Sequence, residues 1–205
     1  AQGEPPADLE PLELLPREPR RPLLRVLQPG LRDLVVDAGR FMTGRFGLAR
    51  SGPADARSAA VANLLLGNQQ GVPLLEVNVT GPTLEALGPL VVAFAGWGVE
   101  PLLNGREVEP FPSFALEEGD VLSFTPAERG VRGYLALPGG IESGTFLGSA
   151  SVDVRALLGR PLRGGDLLGG QSARRPRAGF GFRPHRPWQE VTAVRLLPGP
   201  QYTPG

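Results

Sequence analysis

Apolar positions recur along this chain in runs of strand length, each closed by glycine, proline or an acidic turn. "LLRVLQPG" (23–30), "LVVDAGR" (34–40), "LLEVNVTG" (74–81), "PTLEAL" (82–87) and "LVVAFAG" (90–96) read as β-strands rich in leucine and valine. "PLLNGREV" (101–108) sets Asn104-Gly105 between apolar flanks, a pair that tolerates positive φ and predicts a tight hairpin. "FALEEGDVLSFTP" (114–126) and "GVRGYLALPGG" (130–140) add further strands around turns. One stretch departs from this pattern: "SGPADARSAAVANLLLGN" (51–68) predicts a helix near 53–66, entered through Pro53, capped by Ser51 or Gly52, with Asp55 in its first turn and Gly67 as its stop. Val61, Leu64 and Leu65 would share its apolar face, and the helix would plug one end of a barrel. "SVDVRALLG" (151–159) is a second, shorter helix candidate capped by Ser151. The fold class that follows is mainly β, a compact barrel or sandwich with one or two short helices.

The same pattern divides the chain. Residues 1–22 mix proline with charge and show no clean period, so they read as an extended arm or linker with little core. Residues 23–170 make the β lobe, and 171–189 form a basic, proline-rich linker that contains the single His185. Residues 190–205 begin a second lobe, truncated or missing beyond that point, because "VRLLPGP" (194–200) echoes "LRVLQPG" (24–30).

Composition then removes whole classes of chemistry. All 21 basic residues are arginine, so there is no lysine for a Walker-type phosphate loop, a Schiff base or biotin attachment. With no cysteine and one histidine, no metal site is expected. The formal net charge is zero, which argues against nucleic acid as a partner, and no apolar run approaches membrane-spanning length. A cytoplasmic protein without a membrane partner is the expectation.

Several polar side chains remain as candidates. Asp37 and Arg40 stand three apart in "DAGR", where they either act on a carboxylate ligand or form an ion pair that steadies the turn. Ser51 and Asp55 suit capping and also face any cleft at the start of the helix. Asn63 and Glu76 are polar among apolar neighbours, so each needs a hydrogen-bond partner. Arg132 and Tyr134 line a cleft or pack in a strand, and Ser149 offers a hydroxyl in a glycine-rich turn, without the Gly-x-Ser-x-Gly elbow of a nucleophile. Asp37, Arg40, Ser51, Asp55 and Ser149 are expected to gather around a small-carboxylate cleft.

"LQPGLRDLVVDAGR", "GLARSGPADARSAAVANLLLGN", "LLEVNVTGPTLE", "GVRGYLALPGG", "FLGSAS" and "GRPLRGGDLL" follow one another in the order found in the allophanate hydrolase subunit 2 family, also called the biotin-dependent carboxyltransferase family, which the chain resembles over about residues 24–200. The resemblance implies a cyclophilin-like β-barrel lobe. It also implies a non-autonomous subunit of an ATP-dependent 5-oxoprolinase, which opens 5-oxoproline to glutamate together with a B-type partner and an A-type lactam hydrolase. ATP would be used by the assembled complex, with no cofactor bound by this chain. Two alternatives go with the same resemblance: the carboxyltransferase half of a urea carboxylase or allophanate hydrolase system, with biotin carried by another chain, and a non-enzymatic regulatory partner of a kinase inhibitor. The chain departs from the family pattern at Val36, where glutamine is common, and at Ala150 and Val152, where arginine and threonine are common.

Overall fold

The computed structural model describes residues 10–108, 113–126, 131–172, 176, 178 and 179. Two antiparallel sheets pack face to face. One contains β1 (Pro22–Gln28), β4 (Thr83–Ala86), β6 (Pro101–Leu103), β7 (Arg106–Glu107), β9 (Val121–Phe124) and β11 (Leu167–Gly169), in the order β11-β1-β4-β9-β6-β7. The other contains β2 (Leu34–Val36), β3 (Leu74–Asn78), β5 (Leu90–Trp97), β8 (Ser113–Leu116) and β10 (Arg132–Ala136), in the order β2-β3-β10-β5-β8. The lobe is mainly β as expected, and its described strands form two sheets with no closed ring among them.

Alternation along each strand sorts the side chains. Leu75, Val77, Val92, Phe94 and Leu135 point between the sheets, where they meet Leu24, Val26, Leu84 and Leu122. The Phe94 and Phe124 rings lie 5.3 Å apart across this core. A Cβ at Gly133 would stand 2.0 Å from Cζ of Phe94, so the ring needs a glycine beneath it. On the outer face of the second sheet, Leu74, Ala93, Ala95, Tyr134 and Ala136 are covered by α1 (Ala56–Leu65). Where the helix covers it, the second sheet is therefore buried on both sides, and β3 is buried at every position. Asn104 (φ 51°) and Gly105 (φ 77°) turn the β6–β7 hairpin, as their sequence predicts.

Several expectations are corrected. The helix begins at Ala56, and its cap is Asp55, whose carboxylate accepts from the backbone N–H groups of Arg57 and Ser58. It lies on a sheet face instead of plugging an end. Its buried residues are Ser58, Ala59, Ala62 and Asn63, while Leu64 is 53% exposed. Residues 151–159 form no helix: Asp153 and Leu158 exchange both backbone hydrogen bonds, and the Asp153 carboxylate accepts from the Arg155 and Ala156 N–H groups, closing a tight loop. The arm also contributes to the core. Leu14 is buried, and Leu12 pairs with the 157–159 backbone through Leu12 N to Leu157 O and Gly159 N to Leu12 O, both 2.9 Å. Apart from residues 171, 172, 176, 178 and 179, the expected linker and second-lobe start, His185 included, lie outside the described residues.

Candidate functional site

β2 delivers Asp37 to the rim of the second sheet, and the turn after it leads into the 51–55 knuckle. The Asp37 carboxylate is a hub for distant donors. Oδ1 accepts from Ser149 Oγ (2.5 Å), Ser151 Oγ (2.7 Å) and the Gly39 N–H (2.9 Å), and Oδ2 accepts from the Ala150 N–H (2.6 Å). Ser151 Oγ in turn accepts from the Asp37 N–H at 2.9 Å. Burial pushes the Asp37 carboxyl up, but the hydrogen bonds from Ser149, Ser151, Ala150 and Gly39 outweigh it and hold its pKa below the ordinary value. Asp37 is therefore a fixed anion with its lone pairs engaged, suited to orienting neighbours and poorly suited to taking a proton at neutral pH.

Arg40 is 1% exposed and donates through Nη2 to the Ser151 carbonyl. Among the described residues, its Nε and Nη1 have no acceptor. Burial lowers its pKa, opposed by the charges of Asp153 and Asp37. Asp153 ties this cluster to the knuckle, accepting from Ser51 Oγ at 3.1 Å. Two departures from the family pattern, Ala150 and Val152, are buried here, and Val152 belongs to the core between the sheets.

A second cluster holds the other end of the knuckle. Glu76 is buried on β3 and accepts from Arg132 Nη1 (2.6 Å), Asn78 Nδ2 (3.4 Å), Tyr134 OH (2.9 Å) and the Ala54 N–H (3.0 Å). The Tyr134 hydroxyl also accepts from the Asp55 N–H at 2.8 Å. Burial pushes the Tyr134 phenol up, and the Glu76 charge adds to that, so it stays a neutral donor. Each carboxylate oxygen of Glu76 has two donors, an arrangement that offsets the cost of burying the charge.

Between the knuckle, the first turns of α1 and the 70–74 loop lies an open cavity of about 450 Å³. Asp37, Ser51 and Asn63 line it, with Arg50 and Gln70 as exposed polar groups and Val36, Pro53, Ala59 and Leu74 as apolar wall. Arg50 spends one donor on the Ala38 carbonyl (Nη2, 3.2 Å), and its guanidinium carbon lies 4.4 Å above the Phe41 ring. Asn63 is held by the Val72 carbonyl (3.1 Å) and by Asn68 Nδ2 (3.0 Å).

Of the sequence candidates, Asp37, Ser51 and Asn63 reach this cavity. Arg40 and Ser149 join Asp37 from the protein side, while Asp55, Glu76, Arg132 and Tyr134 form the neighbouring network that anchors the knuckle. Arg50, Gln70 and Asp153 were not singled out by sequence. Arg50 stands directly before the Ser51-Gly52-Pro53 knuckle, and that adjacency was the available signal for it.

A two-sheet β lobe with a carboxylate-centred junction beside a helix-capped cavity is the class of domain that fold and site define. The chain belongs to the carboxyltransferase domain family, subdomain A and B, whose family model matches residues 46–204. It is 31% identical to the C-type chain of 5-oxoprolinase from Haemophilus influenzae over 184 residues, which are 88% of this chain and 59% of that protein. It is 33% identical to urea amidolyase of Saccharomyces cerevisiae over 150 residues, covering 71% of this chain and 8% of that one. A crystal structure of TTHA0988 superposes with a TM-score of 0.89 at 56% identity, over 98% of this chain and 42% of the other. The chain thus spans about three fifths of the length of the first curated relative it matches.

Proposed function

We propose that this chain is a non-autonomous subunit of an ATP-dependent 5-oxoprolinase, working in the cytoplasm with a B-type partner and an A-type lactam hydrolase to convert 5-oxoproline to glutamate. The supporting observation is the likeness to the C-type chain of 5-oxoprolinase, which runs through 88% of this chain. The chemistry of the cavity agrees with a small polar, anionic ligand: Arg50 supplies a planar cation, Ser51, Asn63 and Gln70 supply hydrogen-bonding groups, and the apolar wall suits a compact ring. In this reading Asp37 and Arg40 set the position of the 149–151 turn and the knuckle around the ligand, while Glu76, Arg132, Tyr134 and Asp55 hold the opposite end. These 205 residues contain no lysine or cysteine to serve as nucleophile or phosphate-loop cation, so in this reading the energy-coupled chemistry lies outside them.

The test is turnover of ATP and 5-oxoproline by the purified chain, alone and mixed with its B-type and A-type partners. Activity only in the mixture is expected, and robust turnover by the isolated chain would overturn the subunit reading. The match to urea amidolyase favours one second reading, the carboxyltransferase half of a urea carboxylase system. Because these 205 residues contain no lysine, biotin would have to be carried outside them. Transfer of labelled carboxylate from a biotinylated carrier to urea, with no 5-oxoproline turnover, would select it.

A further inference from the structure

The loop between Arg40 and Arg50 is closed by hydrogen bonds at its base and apolar at its tip. The Arg40 N–H donates to the Arg50 carbonyl at 2.6 Å, closing the base. Thr43 is buried at the centre, and its carbonyl accepts from the Phe46 N–H (2.9 Å) and the Leu48 N–H (3.4 Å). Around that hub, Phe41, Met42 and Phe46 are 61%, 79% and 64% exposed. Met42 holds a φ of 62°, a conformation that costs a side-chain-bearing residue free energy and persists only where the surroundings impose it. Three large apolar side chains pointed at solvent from a well-bonded turn are not explained by the fold of this lobe.

The charges carried by the loop itself have one sign. Arg45 lies 4.8 Å over the Phe46 ring and Arg50 4.4 Å over the Phe41 ring, and from residue 38 to residue 54 the sequence contains no acidic residue. Arg50 also lines the cavity, so the tip and the candidate site share a wall.

We propose that the 41–46 tip is the docking surface for a second protein chain that presents an apolar socket with an acidic rim and, when seated, lies beside the Arg50 wall of the cavity. The proposal rests on the subunit reading above and adds where the partner binds and what its surface must carry. Phe41, Met42 and Phe46 supply the anchors, held in place before binding so that little conformational freedom is lost on association. Arg45 supplies steering toward an acidic face.

The experiment titrates the full 205-residue chain with its B-type partner by calorimetry, alongside size-exclusion chromatography with light scattering. Three variants are compared: the triple change Phe41→Ser, Met42→Ser and Phe46→Ser, the single change Met42→Gly, and Arg45→Glu. The triple variant is expected to weaken binding about a hundredfold or more, with its melting temperature unchanged because all three side chains face water. Met42→Gly relieves the strained φ, so it should weaken binding without lowering the melting temperature, the opposite of what a purely structural role for Met42 gives. Arg45→Glu should slow association, with an effect that fades as salt rises. Equal binding by wild type and triple variant would overturn this inference and leave the subunit reading standing. No binding by the wild type would overturn both. A concentration-dependent dimer of the wild type, lost in the triple variant, would assign the surface to a second copy of this chain and overturn the acidic partner.

Discussion

Replacing Asp37 with asparagine exchanges a carboxylate that receives four hydrogen bonds for a group that must turn an N–H₂ toward hydroxyl or N–H donors. The expected loss is about 2–4 kcal/mol of stability, read from urea unfolding. The sign with pH follows from the lowered pKa. Folded Asp37 binds its proton more weakly than unfolded aspartate, so its contribution is complete above about pH 4 and is lost as pH falls through the folded value. The stability gap between wild type and Asp37→Asn should therefore narrow in acid; a gap constant from pH 7 to pH 3 would contradict the assignment. The "DAGR" and "LGSAS" motifs made the meeting of Asp37, Arg40 and Ser149 legible in the sequence. What stayed hidden was which side of the wall each occupies. A buried arginine and an exposed one look alike in sequence, so the "DAGR" motif points to Arg40 as the cavity's cation, while the structure places Arg50 there.

The helix shows a different limit of sequence reading. Its existence and approximate ends were legible from a proline-led entry, a run of helix formers and a glycine stop, but its buried face was not. Large apolar residues normally mark the inward side, yet here Ala59 and Ala62 face a sheet surface built from Ala93, Ala95 and Ala136, close enough that a leucine has no room. Ala62→Leu should therefore destabilise by about 1–3 kcal/mol, whereas Leu64→Ala should change stability by less than about 1 kcal/mol, both measured by thermal unfolding. The N-terminus of the helix hangs on Tyr134, whose hydroxyl links the Asp55 N–H to Glu76. Tyr134→Phe leaves both without that partner and should cost about 1–3 kcal/mol. Faster amide exchange at Asp55 in the variant would place the loss at this end of the helix, and unchanged exchange there would argue against the link. The strands were legible because each strand of the second sheet keeps apolar residues at its inward-facing positions. β11 went unassigned because three residues after a glycine pair carry too little periodicity.

Across the whole molecule, the contacts that finish the lobe join its two ends. β1 pairs with β11 (Leu24 opposite Leu168), Leu12 meets the 157–159 backbone, and Asp37 waits for side chains 112 and 114 positions later in the chain. Such long loop closures slow folding, so refolding from urea is expected on the millisecond-to-second scale or slower, measured by stopped-flow fluorescence of the two tryptophans. The Asp37 junction carries a further consequence for a chain still being made. Until residue 151 has left the ribosome, the Arg40 guanidinium lacks the carbonyl that receives it, and Asp37 lacks the full pair of hydroxyl donors. Until residue 169 follows, one edge of β1 is unpaired. The segment ahead of residue 151 therefore emerges as an apolar, unfinished surface that a chaperone can recognise. A fragment released at residue 148 should be cut by trypsin at Arg40 as readily as an unfolded peptide, while the full chain, in which Arg40 is 1% exposed, should resist at that bond.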